Sequence, residues 1–297
     1  MILVAGGSGF VGSAVVRRLV SAGQDVAVMT AHSDRSGPRI QELGARPVEG
    51  DVQDLPSLAG AVRGADVVIQ ALTFPTFPVE KRSKGYTFEQ FDHIGTRALV
   101  QSAAEAGVAR FVFVSGAGAA PDADKVWFRA KWAGEEAIRA TGIDHVIIRP
   151  SWVYGPDDRA LNRFVALHRW LPIVPVVGDG SQRLQPMFID DLAEVLTRAA
   201  DRSGPAGTYE AGGPDIVTMN DVLRTMMDIR GKRRPLAHVP ILLPKLGGFL
   251  VQWLPKPPLS PDAVDFLTGD AVADVGPLVA DFGIRLTPLR EGLATYL

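Results

Sequence analysis

Continuous apolar runs alternate with helical patterns through the first half of the chain. We predict strands over residues 2–5, 26–29, 67–69, 111–114 and 146–148. In these runs the side chains are apolar without interruption, whereas a strand with one face in water would alternate apolar and polar residues. An uninterrupted run is typical of a parallel sheet, because helices cover both faces of such a sheet.

Three helical patterns separate these strands, and a glycine follows each of them within two residues. The patterns cover residues 11–22, 88–106 and 127–140. Glycine commonly follows a helix C-terminus, since it adopts left-handed backbone angles without steric cost. The order of strands and helices predicts an α/β fold with a doubly wound parallel sheet of the Rossmann type.

The pattern changes after residue 150, where Pro, Gly and Trp become frequent. We predict helices over 161–170, from an N-cap at Asp190 to residue 200, from a capping box at Thr218 and Asp221, and from Thr287-Pro288 with Pro at the first helical position. The sequence therefore indicates a first domain over residues 1–150 and a smaller helix-rich lobe over 151–297. We expect this lobe to be interleaved with the edge of the sheet.

A glycine-rich turn follows the first strand and opens the first helix. It reads Gly6-Gly7-Ser8-Gly9-Phe10-Val11-Gly12, which contains the spacing G-x-G-x-x-G. Between a strand and a helix, this spacing lets the diphosphate of a dinucleotide approach bare backbone at the positive end of the helix. We therefore predict that residues 1–150 bind NAD(P)(H) and that residues 151–297 face a small-molecule substrate.

The residues after the second strand bear on the choice between NADP(H) and NAD(H). NAD-binding proteins place an acid at the end of this strand for the ribose hydroxyls. No acid stands directly at that position here, and His32, Ser33 and Arg35 are suited to a 2′-phosphate. Asp34 keeps the NAD(H) alternative open. The sequence favours NADP(H).

Two further loops are candidates for the cofactor cleft. Asp51, followed by Val52, could accept a hydrogen bond from the adenine amino group. Ala71, Leu72 and Thr73 end the fourth strand and should line the ribose and nicotinamide half of the cofactor. We expect both loops to lie along the carboxyl edge of the sheet.

The composition of the chain argues against several kinds of site and partner. The 297 residues carry a formal net charge of −2 and include five His and no Cys. The absence of Cys excludes disulfides and a Cys nucleophile, and the scattered His residues indicate no metal site. A near-neutral charge argues against a nucleic-acid partner, which would favour a basic face.

Sorting signals and membrane spans are not visible in the sequence, and we therefore predict a cytoplasmic protein. An apolar segment over residues 241–254 is the candidate for a peripheral contact with a membrane or a lipophilic substrate. The sequence predicts no particular oligomeric state.

These motifs together resemble the short-chain dehydrogenase/reductase superfamily, in its extended or atypical branch. The resemblance rests on residues 6–12, Gly50-Asp51-Val52, Phe113-Val114-Ser115, Lys131, residues 149–156, 185–191 and 259–262, with a similar tail. It covers nearly the whole chain, and it extends to the group of the accessory NADPH-binding subunit of respiratory complex I and to NAD-dependent epimerase/dehydratase-like proteins. The resemblance implies a bound NAD(P), with Lys131 and Pro150 beside it.

The resemblance also implies a catalytic arrangement that this chain retains only in part. Redox-active members carry a Tyr four residues before the Lys, on the same face of a helix. Lys131 is present, but Trp127 occupies the Tyr position, and an indole has no proton to exchange at useful pH. The assisting hydroxyl aligns with Gly116, which leaves Ser115 as the nearby hydroxyl.

Turnover by the usual route would then need a replacement acid or base. The candidates are Asp92, His93, Asp124 and Tyr154. Tyr154 is preferred because its loop should face the cofactor. The predicted catalytic region therefore consists of Lys131, Tyr154, Ser115 and Trp127, and the expected task of Lys131 is to bind the ribose.

Apolar loops favour a lipophilic substrate, because residues 74–78, Trp152, Trp170 and residues 241–254 would give an apolar wall. The leading hypothesis is an atypical NAD(P)(H)-dependent oxidoreductase or isomerase acting on a small apolar molecule. The first alternative is an NADPH-binding structural or assembly protein without turnover. The second is a nucleotide-sugar epimerase or dehydratase, in which Arg163, Arg183 and Gln185 would supply polar contacts.

Overall fold

A seven-stranded parallel sheet forms the centre of the molecule in the computed structural model, which describes residues 1–158, 160–251, 264–265 and 268–297. The strands of the described chain are β1 (Ile2–Ala5), β2 (Val26–Thr30), β3 (Arg46–Glu49), β4 (Val67–Gln70), β5 (Arg110–Val114), β6 (Asp144–Pro150), β7 (Val153–Tyr154), β8 (Val174–Val177), β9 (Arg183–Leu184), β10 (Met187–Phe188), β11 (Gly207–Ala211), β12 (Val217–Thr218) and β13 (Leu236–Val239). The central sheet has the order β11-β6-β5-β4-β1-β2-β3, and small two-stranded pairs lie outside it.

Helices cover both faces of this sheet. They are α1 (Phe10–Ser21), α2 (Ser33–Glu42), α3 (Leu55–Ala61), α4 (Thr96–Glu105), α5 (Val126–Thr141), α6 (Leu161–Trp170), α7 (Ile189–Ala199), α8 (Met219–Ile229), α9 (Leu242–Val251), α10 (Gly276–Phe282) and α11 (Leu289–Ala294). A π-helical segment, Glu89–Gly95, runs directly into α4, and a short 3₁₀ turn spans Arg82–Lys84. One apolar core includes α1 and α7, and a second on the opposite face includes α3, α4 and α5.

The predicted doubly wound parallel sheet is confirmed. All five predicted strands are present, and their fully buried side chains explain why the sequence runs are apolar throughout. The helix over 161–170 and the capping box at Thr218 and Asp221 are also present.

Other local predictions need correction. Helix α2 starts at Ser33, and we predicted no helix there, because Gly37 and Pro38 obscure its pattern. Phe188, not Asp190, is the N-cap of α7, and Asp190 lies in its first turn. The last helix begins at Leu289, since Pro288 takes the extended N-cap conformation instead of the first helical position.

The strand order places a crevice above β1. Its neighbours are β2 and β4, and the chain builds outward from it in both directions. In doubly wound sheets the loops leaving the carboxyl ends of the central strands separate at this point and leave room for a ligand. The glycine turn after β1 and the loop after β4 both border this crevice.

Strand β11 comes from the second half of the chain and pairs in parallel with β6, from Gly207 beside Val146 to Ala211 beside Pro150. The lobe over 151–297 therefore contributes the seventh strand of the sheet. The boundary at residue 150 stays a prediction about folding units. The family-like segment 259–262 lies outside the described residues, as does the end of the apolar segment 241–254.

Arg110 on β5 connects the first half of the chain to β11. Its guanidinium is buried, donates to Asp144 at 2.6 Å, and also donates to the backbone carbonyls of Ala199, Asp201, Gly204 and Pro205 in the loop that leads to β11. The Arg110 side chain therefore supplies hydrogen-bond donors to four backbone carbonyls in the segment from the end of α7 to β11.

We expect Arg110→Met to lower the free energy of unfolding by about 2–4 kcal/mol, because several carbonyl groups lose a charged donor. Urea denaturation measures this change. Arg224→Met is the matched control, since Arg224 makes only an exposed contact with Asp221, and its effect should stay within about 0.5 kcal/mol. Equal losses in the two variants would contradict the role of Arg110.

Candidate cofactor and catalytic site

The turn between β1 and α1 depends on backbone lying directly against backbone. Gly6 has φ +88°, and a Cβ on it would lie 2.5 Å from the carbonyl oxygen of Ala71 in the loop after β4. A Cβ on Gly12 would collide with the Gly6 carbonyl, and one on Gly7 would lie 2.7 Å from Val28. These three positions accept only glycine if the turn is to keep its shape.

Gly9 has a different task from the other glycines. It is exposed, it is the N-cap of α1, and its N–H donates to the Gly6 carbonyl at 2.9 Å. A Cβ there would meet only Gly6 oxygen, at 3.2 Å, so the space outside the turn is open. The first turn of α1 contains no acid and no side-chain cap. The bare, positive helix end therefore fits the diphosphate of a dinucleotide.

The end of β2 presents exposed polar groups beside the start of α2. His32 is the N-cap of α2, Ser33 is its first residue, and both are exposed. Arg35 is also exposed, and within the described part of the chain the carboxylate paired with its guanidinium is that of Asp34, at 4.0 Å. An exposed guanidinium at a helix N-terminus is suited to a phosphate.

The other predicted cofactor residues lie at the same edge of the sheet with different exposure. Ala71 and Leu72 are half-buried against the turn, and Thr73 is exposed. One carboxylate oxygen of Asp51 accepts from the Gln53 N–H at 2.9 Å, which closes a local turn. Val52 is buried and packs near Gly95. Its side chain therefore supports the loop.

Lys131 lies near the carboxyl end of β5. Its ammonium donates to Asp92 at 2.8 Å and to the carbonyl oxygen of Val114 at 2.9 Å, and it lies 4.9 Å from the centre of the Phe113 ring. Asp92 belongs to the π-helical segment before α4. Burial raises the pKa of the Asp92 carboxyl, and the neighbouring Lys131 opposes this shift.

Trp127 begins the exposed end of α5 among other aromatic rings. Its ring lies 5.8 Å from Phe88 and 5.7 Å from Phe128, and the ammonium of Lys125 lies 5.9 Å from its centre. Phe74 joins Phe88 from the loop after β4. The residue at the usual acid position is thus part of an aromatic cluster in which Phe74 and Phe88 are buried and Trp127 is half-buried.

The hydroxyl of Ser115 is hydrogen-bonded inside the protein, and its catalytic role stays a prediction. It donates to Glu135 at 2.6 Å, and both residues are buried. Glu135 also accepts from Arg149 at 2.5 and 2.8 Å and from Arg139 at 3.0 Å. The hydroxyl is therefore committed to a buried ionic network. Sequence reasoning missed Glu135, although its position four residues after Lys131 places it on the same helix.

Tyr154 is also unsuited to the predicted role of a replacement acid. Its side chain is fully buried, packs on Phe188, and directs its hydroxyl towards Gly292 and the Leu289 carbonyl in α11. Burial raises the pKa of its phenol, which makes proton release harder still. Pro150 is half-buried at the end of β6, and its carbonyl accepts from Ala117 at 2.9 Å.

Two other candidate acids are also accounted for by local contacts. His93 pairs with Glu89 at 2.7 Å along the π-helical segment. Asp124 is exposed before α5, and its carbonyl accepts from Arg129. Of the four candidates, the structure brings only Asp92 into contact with Lys131.

The glycine turn, the crevice above β1 and the adjacent Lys131 define a dinucleotide-binding protein of the Rossmann type. The family model described as NAD(P)H-binding matches residues 6–167, and the chain belongs to this family. The predicted membership of the extended branch of the short-chain dehydrogenase/reductase superfamily is confirmed.

Curated relatives align along most of the chain. A mitochondrial protein of Arabidopsis thaliana, NADH dehydrogenase [ubiquinone] 1 alpha subcomplex subunit 9, is 28% identical over 96% of this chain and 72% of its own length. The ceramide reductase of Caulobacter vibrioides is 29% identical over 81% of this chain and 74% of its own length. The UDP-glucose 4-epimerase structure of Thermotoga maritima has a TM-score of 0.76 at 19% identity, covering 99% of this chain and 97% of the epimerase.

These comparisons contradict the cytoplasmic prediction, because the subunit 9 relatives are mitochondrial proteins. The prediction rested on missing sorting signals, and a missing signal does not define a compartment. Among the helices of the described residues, none has the length and apolar character needed to cross a bilayer.

We expect Gly9→Val to abolish NADPH binding while leaving the protein folded. Gly9 has ordinary extended backbone angles and space around it, so a side chain fits the protein but occupies the place of the diphosphate. Isothermal titration calorimetry measures binding, and circular dichroism measures folding.

Gly60→Ala is the matched control, because Gly60 lies in α3 with nothing within 4 Å of an added Cβ. It should bind NADPH as the wild type does and gain up to about 1 kcal/mol of stability. Unchanged NADPH affinity in Gly9→Val would show that the turn is not the nucleotide site.

Proposed function

We propose that the protein is an NADP(H)-dependent reductase that acts on a lipophilic carbonyl compound. The observation that carries the proposal is the open backbone at Gly9, on a turn that packing at Gly6 and Gly12 keeps rigid. When bound, the reduced nicotinamide would supply a hydride to the carbonyl carbon, and water would supply the proton that the resulting alkoxide takes up. The protein binds the diphosphate at α1 and holds Lys131 beside the crevice.

The preference for NADP(H) over NAD(H) is supported by the start of α2. No carboxylate follows β2 directly, and Ser33 and Arg35 are exposed in the first turn of the helix. A 2′-phosphate would gain a charge-assisted contact with the guanidinium as well as the helix N-terminus. NAD(H) carries a neutral 2′-hydroxyl at this position, which gains much less from a guanidinium and a helix N-terminus than a phosphate does.

A lipophilic substrate is supported by Trp127, which is half-buried and packs on a buried aromatic cluster that includes Phe74 and Phe88. Gly116 lies next to the cluster, and an added Cβ there would find only Phe128, at 3.8 Å. The relative named ceramide reductase agrees with a lipid-like carbonyl compound. A nucleotide sugar is less well supported, because Gln185 is buried and its amide is engaged with Gly213 and Ala273.

The start of α9 supports contact with a lipid phase. Leu242, Leu243 and Leu246 are exposed there. On the same helix, Lys245 contacts Asp265 at 2.5 Å, and Asp265 also contacts Lys125 at 2.9 Å, two residues before Trp127. This connection would bring a lipid surface near the entrance of the aromatic cluster.

A second candidate function is that of an NADPH-holding subunit without turnover. The observation that favours it is the Ser115 hydroxyl, which is bound to Glu135 instead of facing the crevice, together with Trp127 at the usual acid position. The subunit 9 relatives of respiratory NADH dehydrogenase agree with this role.

Spectrophotometric oxidation of NADPH distinguishes the two functions. The reductase proposal expects turnover with a long-chain ketone, added in detergent micelles, and the same turnover in Trp127→Phe, because the indole gives no proton. Protein that binds NADPH tightly and oxidises none across a panel of carbonyls and quinones would support the holding role. Binding of UDP-glucose at millimolar concentration would instead favour an epimerase.

We expect Arg35→Ala to weaken NADPH binding by about 10- to 100-fold, since a charge-assisted phosphate contact is lost. The affinity for NADH should change by less than about twofold. Arg39→Ala, at an exposed site later in α2, is the control and should leave both affinities unchanged. Competitive fluorescence titration measures the dissociation constants of both variants for NADPH and for NADH. An equal effect of Arg35→Ala on both coenzymes would exclude a 2′-phosphate contact.

A further inference from the structure

The Lys131 ammonium is held at two fixed points inside the protein. Asp92 accepts one hydrogen bond at 2.8 Å and the Val114 carbonyl accepts another at 2.9 Å. The side chain of Lys131 is 16% exposed and that of Asp92 is 5% exposed. A buried ammonium is stable only beside an anion and acceptor groups. Asp92 is the carboxylate that contacts it among the described residues.

Close packing of α5 against the π-helical segment brings Lys131 and Asp92 together. Lys131 and Gly134 lie three residues apart on α5, and therefore on one face of the helix. A Cβ on Gly134 would collide with the backbone carbonyl of Asp92. Glycine at this position thus lets α5 approach the π-helical segment closely. The wide turn of that segment places the Asp92 carboxylate against Lys131.

The geometry leaves one hydrogen-bond donor of Lys131 for a ligand. An ammonium has three N–H groups, and two of them are used by Asp92 and Val114. Trp127 lies one helical turn earlier, and its indole cannot donate the proton that a Tyr at this position would supply. A donor fixed in advance binds a ligand with a smaller entropic cost than a mobile side chain would.

We propose that Asp92 is a positioning residue, which holds the Lys131 ammonium against Val114 so that its third N–H meets a hydroxyl of the bound nucleotide. This inference rests on the proposed function, because it assumes that NADPH binds in the crevice above β1. It assigns Asp92 a role in binding that acts through Lys131, without direct contact between Asp92 and the nucleotide.

A double-mutant cycle tests the inference with NADPH as the titrated ligand. Asp92→Asn keeps the shape of the side chain and removes its charge, and it should weaken binding by about 5- to 30-fold. Lys131→Met should weaken binding by about 10- to 100-fold. The double variant should bind within about twofold of Lys131→Met, because Asp92 has no effect once the ammonium is absent.

Folding is followed by thermal unfolding without nucleotide. If Lys131→Met alone unfolds because it leaves Asp92 buried without its cation, Gly134→Ala replaces it in the test. That variant keeps both charges but separates α5 from the π-helical segment, and it should weaken NADPH binding while remaining folded. Asp228→Asn, which weakens the contacts of Asp228 with Arg233 and Arg290 far from the site, is the control and should bind NADPH normally.

The outcomes separate this inference from the proposed function. If Asp92→Asn weakens binding equally with and without Lys131, Asp92 acts through the fold, and the inference is overturned. Unchanged affinity in folded Asp92→Asn or Gly134→Ala also overturns it, while the loss of binding in Gly9→Val keeps the proposed function intact. A wild-type protein that binds no NADPH would overturn both.

Discussion

The contact of backbone with backbone between the glycine turn and the loop after β4 is the constraint on which the site depends. Gly6 lies against Ala71, and Gly12 lies against the carbonyl of Gly6. No side chain fits at either contact, so the two loops at the centre of the sheet have one arrangement. That arrangement directs the N-terminus of α1 into the crevice and leaves Gly9 as the open position. The proposed cofactor site follows from this geometry, and the match of residues 6–167 to the NAD(P)H-binding family agrees with it.

Buried charges divide the region beside β5 into two networks with different consequences. Asp92 and Lys131 face the crevice side of α5, and their pairing keeps an ammonium available near the proposed nucleotide. Glu135, Arg149 and Arg139 form the second network, which takes the Ser115 hydroxyl away from the crevice. A buried carboxylate needs several donors, and Ser115 satisfies part of that need. The hydroxyl is therefore part of a buried ionic network that stabilises the fold.

The second half of the chain packs into the same sheet as the first half. Strand β11 completes the sheet, and Arg110 on β5 holds the loop that precedes it. Tyr154 belongs to this junction as well, because it packs between β10 and α11. In the aromatic cluster around Trp127, Phe74 and Phe88 are buried and Trp127 is half-buried. Packing has thus used the phenol of Tyr154 in one core and most of these rings in the other.

The sequence by itself determined five strands of the sheet, several of the longer helices and the glycine turn, because apolar runs and glycine spacing are local signals of backbone structure. It also predicted Lys131 as the retained residue of the catalytic region. Only the tertiary structure decided which polar groups meet. The pairing of Asp92 with Lys131, the capture of Ser115 by Glu135 and the burial of Tyr154 join residues from separate elements, and hydrogen-bond partners across elements leave no periodic pattern in the chain. The start of α2 was missed for a local reason, since Gly37 and Pro38 interrupt a helix that packing against β3 stabilises.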